Sequence, residues 1–248
     1  MQKKGKEVGE VQEVWHGFGM VLVYFIIAAS SALVLRKLTA VPDEVFRKLL
    51  HGILLGSLAV WVAVFDTWWL AALTAVFFAL AVYPLLSLGE RIKGYSHLLT
   101  ERKRGEIKRS LLVVFFMFAV VVCVCWGWLQ DRMLVLASIY AWGFGDAAAA
   151  LIGKRFGKHP LQWKKIDGRK SAEGTLAMFV VSLCSVILLL ALRGQMPWYG
   201  IVVTATGTAL VSAAVELYTP GGMDTITCPL AAMCTLLPLA ALFGGIGR

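Results

Sequence analysis

The sequence predicts an all-α, polytopic integral membrane protein with about eight transmembrane helices. Three observations predict it. The 248 residues are 59% hydrophobic and 16% charged, where soluble domains carry about 25% charged residues. Mean hydropathy is +0.76, too apolar for a soluble surface of this size. Eight apolar stretches reach or approach the roughly 20 residues a helix needs to cross a bilayer, and they lack the two-residue alternation of barrel strands.

In chain order, the tail before Phe18 balances Lys3, Lys4 and Lys6 against Glu7, Glu10 and Glu13, and reads as a solvated or interfacial segment. The first span, Phe18–Leu38, is too long for a cleavable signal peptide and has no small-residue cleavage site. The second, Phe46–Phe65, opens on Arg47, Lys48 and His51. Asp66 with Trp68 and Trp69 introduces the third, Thr67–Leu88, as an interfacial aromatic belt would. A basic loop over 89–109 leads to Ser110–Leu129 and Met133–Ile152, and a second over 153–174 leads to Thr175–Leu192. Trp198–Leu217 and Ile226–Gly244 complete the set, with Pro229 and Pro238 expected to bend the last. One membrane domain over 1–248 is expected. Cys123, Cys125, Cys184, Cys228 and Cys234 show no metal or redox spacing and read as small packing residues.

Charge sets the expected orientation. With eight spans, one face carries 18 Lys and Arg in its connections and the other carries 6. The positive-inside rule makes the 18-charge face cytoplasmic and places both termini outside. Contact with anionic lipid alone accounts for much of that charge. A polyanion site is the sharper reading, and it needs acidic partners on the same face.

Those partners exist. Asp146 and Glu216 are the acidic residues inside predicted spans, and Asp224 sits at the mouth of the last one. All three fall at the basic face. Intramembrane carboxylates are functional candidates by default, although Glu216 fits an interhelical ion pair equally well. Carboxylates facing Lys and Arg suggest Mg²⁺ with a phosphorylated ligand, since Mg²⁺ takes one or two carboxylates plus phosphate oxygens. On a helix, Asp146, Ala149, Ala150 and Gly153 share a face with almost no bulk, so a second helix or a ligand can approach the backbone. Lys154, Arg155 and Lys158 follow, interrupted by Gly157, as a cationic turn able to wrap phosphates.

Two nucleotide motifs are excluded. Gly143-Phe-Gly145-Asp-Ala-Ala148 fits a loose dinucleotide pattern but follows no strand. The residue five before Gly153-Lys154 is Ala148, so no Walker P-loop is present.

Four blocks, in order and all on the basic face, carry a family resemblance. They are Arg47-Lys48 to His51; Glu101 to Ser110, including Arg104 and Glu106; Gly145-Asp146 through Gly153-Lys154 to Lys170-Ser171-Ala172-Glu173-Gly174-Thr175; and Glu216 with Thr219 to Pro229. From about Phe46 to Leu230 the chain resembles the membrane-embedded CTP-dependent lipid kinases: phytol kinase, dolichol kinase and the yeast-type diacylglycerol kinase. The resemblance implies transfer of the γ-phosphoryl group of CTP to the hydroxyl of a lipid alcohol. It implies Arg47 and Lys48 as phosphate contacts, Asp146 as Mg²⁺ ligand or catalytic carboxylate, and Gly153 as the residue that keeps a nucleotide turn open. Lys154, Lys170 and Ser171 would face the nucleotide and Glu173 would orient them, with Arg155, Lys158, Gly174, Arg104 and Glu106 completing the set. Asp146, Glu216 and Asp224 form the expected metal set, and a carboxylate or His51 would take the alcohol proton. The family usually has Asn after the last aspartate; this chain has Thr225 and no Asn anywhere.

A phosphatidate cytidylyltransferase shares the order of the third block, but the Lys-Asp pair and Asp-Arg-x-x-Asp-like ending of that family are missing here. A transporter would place its site near the midplane between repeats, and no repeat is evident. Eight spans disfavour nucleic acid as a partner. The expected partners are a lipid alcohol from the bilayer and a nucleoside triphosphate from the cytoplasm, with oligomeric state left open.

Overall fold

The computed structural model describes residues 2–91, 95, 105–161, 170–219 and 223–246, with 2–7 as backbone only. Eight α-helices are described: α1 Gln2–Leu38, α2 Asp43–Val64, α3 Trp68–Gly89, α4 Glu106–Val121, α5 Arg132–Phe156, α6 Ala172–Arg193, α7 Trp198–Tyr218 and α8 Asp224–Leu242. Each contains a stretch long and apolar enough to cross a membrane, α4 together with the π-helical turn that extends it over Val122–Trp128. The chain is a multi-pass, all-helical membrane protein, and each predicted span has its helix. Its internal contacts group into two compact units, 1–123 and 124–248.

In the first unit α1 packs on α2 and α3, and α3 on α4. Its core is aromatic. The Trp61 ring lies 5.5 Å from Phe78, 5.3 Å from Phe115 and 6.4 Å from Phe118, all edge-on, and stacks on Phe65 at 5.9 Å. Such pairs each add about 0.5–1.5 kcal/mol beyond their burial. The indole N–H of Trp61 donates to Thr74 Oγ1 at 3.3 Å, so the buried ring keeps its polar atom satisfied. Tyr24 donates to the Ile53 carbonyl at 2.8 Å, crossing from α1 to α2 above Gly56.

Helix α1 begins at Gln2, and Glu13 accepts from the Asp66 and Thr67 amides at 2.9 and 2.8 Å and from Thr67 Oγ1 at 3.0 Å. A carboxylate 54 residues away thereby satisfies donors that a helix start leaves open.

In the second unit α5 packs most extensively on α6, α6 on α7 and α7 on α8, and α8 returns to α5. Small residues make the α5–α6 contact close. A methyl group on Gly174 would stand 3.0 Å from the Ala149 carbonyl and 3.3 Å from the Gly153 Cα, and Ser182 donates across the interface to the Ala141 carbonyl. Close backbone approach of this kind drives helix association where lipid tails compete for apolar contacts. The bare face of α5 meets a second helix.

At the far end of this unit Asp131 caps α5, accepting from the Met133 and Leu134 amides at 2.9 and 3.1 Å, and pairs with Arg193 Nε at 2.6 Å. Trp128, Trp198 and Tyr199 are exposed at the same helix ends, as in an interfacial aromatic belt.

Candidate functional site

The second unit gathers most of the sequence-predicted residues at the end formed by the α5 C-terminus and the α6 N-terminus. The turn after α5 is pinned there. Leu161 N–H donates to the Lys170 carbonyl at 2.9 Å and Ala172 N–H to the His159 carbonyl at 3.0 Å, closing a short antiparallel neck with a bridge between Pro160 and Ser171. That neck sets the positions of Lys170 and Ser171, while residues 162–169 lie outside the described residues.

Ser171 caps α6 by accepting from the Gly174 amide at 3.2 Å, an N-terminal signature for a Ser before a helix. Glu173 accepts from the Lys158 and His159 amides at 3.1 and 3.4 Å and meets His159 Nδ1 at 2.6 Å. Glu173 thus holds the backbone of the turn that follows α5. Gly157 closes against the Gly153 carbonyl and Ser171 Oγ, leaving no room for a side chain. Gly153 stands inside α5, against Ser171 and Gly174, in a packing position. Lys154, Arg155 and Lys158 are exposed around this turn.

Lys170 turns toward α7. Its ammonium pairs with Glu216 Oε1 at 3.1 Å and donates to the carbonyls of Glu216 and, at 3.3 Å, Thr219. A cation at a helix C-terminus satisfies carbonyls that have no partner within the helix and complements the dipole. Lys170 thus anchors the neck to the end of α7, a role the sequence did not disclose. Asp146 of α5 and Asp224 in the first turn of α8 both lie within electrostatic reach of the Glu216 carboxylate. Glu216, paired with Lys170, thus feels two further carboxylates carried by two other helices. Among the described residues, no group of three or more His, Cys, Asp and Glu is gathered closely enough to hold a metal ion by itself. Mg²⁺ does not require such a cage, because phosphate oxygens and water complete its shell.

Near Glu216, α7 and α8 border an open groove of about 470 Å³ lined by Ala214, Val215, Tyr218, Thr219, Met223 and Thr227. Thr225 is half-buried in the first turn of α8.

In the first unit, Arg47 pairs with Glu44 one turn earlier on α2 and, through Nη1, with Glu106 of α4 at 3.5 Å. Two residues named from separate sequence blocks are in contact here. Lys48 and His51 are half-buried on α2. Lys108 pairs with Glu90 at 2.8 Å. Gly105 begins α4 at φ 81°, a left-handed position that favours glycine. Arg104 lies outside the described residues.

Comparison with known proteins decides what the chain is related to. Over 221 residues, 88% of this chain and 88% of the relative, it is 28% identical to a phytol kinase of Synechocystis sp.. The chain is similar to a membrane lipid kinase over most of its length. Over 156 residues, 57% of this chain, it is 29% identical to a dolichol kinase of Arabidopsis thaliana, of which that match covers 26%. No family model matches the chain, and no solved structure matches it significantly. In this chain, hydrogen bonds join residues within the third block, and Lys170 joins the third block to the fourth at Glu216 and Thr219.

Proposed function

We propose that the protein is a CTP-dependent kinase that transfers the γ-phosphoryl group to the hydroxyl of a membrane lipid alcohol. The observation that carries the reading is the Lys170–Glu216 pair at the end of α7, with Asp146 and Asp224 within electrostatic reach of the Glu216 carboxylate. Similarity to a phytol kinase over 88% of both chains supports it. Phosphoryl transfer asks little covalent chemistry of a protein; it asks for positioning and for neutralised charge on the transferred group.

Asp146, with Asp224 or Glu216, would hold Mg²⁺, which when bound neutralises phosphate charge. Hard carboxylate oxygens suit that ion. Lys154, Arg155 and Lys158 supply cations on a turn that Glu173 holds in place. Lys170 fixes Glu216 against the neck of the loop. Arg47 and Lys48 are assigned to phosphate on the resemblance of their block, and their half-buried positions keep guanidinium and ammonium at a helix start. Charge asymmetry supports a site at the cytoplasmic face, where an aqueous nucleotide and a lipid hydroxyl at headgroup depth can meet.

The test is a purified-protein assay with Mg²⁺, a panel of lipid alcohols and γ-labelled CTP, following label into the organic phase. Label in lipid is expected, and Asp146→Asn should reduce it at least about a hundredfold, the scale of a lost charge-stabilising group. Label entering lipid only from α-labelled CTP, with phosphatidic acid as acceptor, would replace the kinase by a cytidylyltransferase. Full activity with unchanged Mg²⁺ dependence in Asp146→Asn would remove Asp146 from the site.

A further inference from the structure

Between Gly157 and Pro160 the turn after α5 has no backbone donor left to offer. Gly157 N–H donates to the Gly153 carbonyl at 3.0 Å, and the Lys158 and His159 amides donate to the Glu173 carboxylate at 3.1 and 3.4 Å. Pro160 has no N–H. The start of α6 is taken as well. Ala172 N–H goes to the His159 carbonyl and Gly174 N–H to Ser171 Oγ, and Glu173 sets its own carboxylate where the helix dipole would draw an anion. A phosphate that meets this turn therefore meets side chains.

Among those side chains, His159 is held in one orientation. Its place before Pro160 biases its backbone toward the extended form, and its ring meets Glu173 Oε1 through Nδ1 at 2.6 Å. An ionised carboxylate only accepts, so Nδ1 carries the hydrogen and Nε2 is the nitrogen that remains. The side chain is 79% exposed, so a ligand reaches the ring without displacing protein. The charged groups on the elements around it are Glu173 in α6, Lys158 beside it in the turn, and Lys154 and Arg155 at the end of α5. Arg155 lies over the Phe156 ring at 5.4 Å, and Lys170 on the paired side of the neck is engaged with Glu216. Three exposed cations against one carboxylate favour an anion here and disfavour a metal ion.

We infer that His159 is a phosphate contact of the nucleotide: its imidazolium donates from Nε2 to a phosphate oxygen while Glu173 receives Nδ1. The contact depends on protonation. A charged ring gives a hydrogen from each nitrogen, whereas a neutral ring that keeps its hydrogen on Nδ1 turns a lone pair toward the phosphate and repels it. One part of the nucleotide affinity therefore falls as pH rises through the imidazole titration. Glu173 serves the contact as a positioning residue, by orienting the ring as well as the turn that carries it. The inference rests on the nucleotide half of the kinase reading and adds to it a residue and a pH dependence. Transfer to a lipid is not needed for it to hold.

The experiment titrates the full chain, in detergent micelles with Mg²⁺, with CTP and separately with inorganic tripolyphosphate, which has no base or sugar to be recognised. The variants are His159→Gln, neutral at every pH, and His159→Arg, charged at every pH. Dissociation constants are measured at about pH 6 and about pH 8, across the range in which imidazoles titrate, together with acceptor KM, kcat and the thermal midpoint. His159→Gln should weaken both ligands about fivefold at the lower pH, the scale of one lost hydrogen bond, and little at the higher, with acceptor KM and midpoint unchanged. His159→Arg should bind as wild type does at the lower pH and keep that affinity at the higher. Comparing the proteins at each pH removes the titration of the phosphates themselves. Equal affinity of wild type and His159→Gln at the lower pH overturns the contact and leaves the kinase standing. Unchanged dissociation constants with a lowered kcat overturn it in favour of His159 as the base for the acceptor proton. Affinity lost equally at both pH values with a lowered midpoint overturns it as damage to the turn. Binding that depends on His159 in a protein that labels no lipid alcohol overturns the kinase and keeps the contact.

Discussion

Lys170 reaches both the side chain and the backbone of one residue, pairing with the Glu216 carboxylate at 3.1 Å while donating to its carbonyl. Both side chains are largely shielded, at 18% and 13% exposure. Removing one partner of such a pair leaves the other desolvated, which costs more than the pair contributed when intact. Lys170→Met is expected to lower stability by about 2–3 kcal/mol, below the fully buried range because some solvent reaches the pair. Lys170→Met with Glu216→Gln should cost less than the two single changes added together. Denaturant unfolding of the four proteins in micelles checks it, and strict additivity would dissolve the coupling. Glu173 differs in kind: its partners are mainly the amides of Lys158 and His159, so it shapes a turn.

Helices α5 and α6 approach as closely as they do because Gly145, Gly153, Gly157 and Gly174 lie along their contact. The Gly157 position is the most demanding, since a methyl group there meets the Gly153 carbonyl and Ser171 Oγ, and backbone cannot swing aside as a flexible side chain can. Gly157→Ala is expected to destabilise by about 1–3 kcal/mol, the usual cost of overpacking, and to lower activity by displacing the cationic turn. A methyl group on Gly19 of α1 would meet nothing within 4 Å, so Gly19→Ala should be neutral or stabilise by up to about 1 kcal/mol through helix propensity. Thermal midpoints of the two variants should move in opposite directions or one alone should fall. Equal losses would mean that packing does not distinguish the sites.

At the scale of the whole chain, eight helices among the described residues are long and apolar enough to cross a membrane, and if all eight cross, both termini lie on one side of the bilayer. The 18 to 6 division of Lys and Arg favours the exterior for that side. Exposed Leu35, Leu73, Phe77, Leu80, Phe116, Leu188 and Leu210 fit helix faces turned to lipid. A protease-cleavable tag fused at either end should be cut in intact cells, while a tag inserted within residues 162–169 should be cut only after permeabilisation. A terminus protected in intact cells would invert the orientation or remove a span.

Spans and the identity of the acidic and basic clusters were legible in the sequence because each rests on composition or on short spacing. An apolar run must cross the bilayer as a helix, since no water is there to satisfy a bare backbone. Asp146 and Glu216 announced themselves by being charged where charge is costly. Contacts across long separations left no such mark. The Glu13 cap on α3, the Asp131–Arg193 pair, the hold of Glu173 on the turn before it, and the anchoring of Lys170 to α7 join residues 14 to 62 positions apart. The π-helical turn at Val122–Trp128 was hidden as well, because a uniformly apolar run has no periodicity to lose. Sequence by itself determined what the chain must do with its apolar surface and where its charges are expensive. Only the tertiary structure decided which of those charges meet, because helices that share no local pattern come together through the shapes of their packed faces.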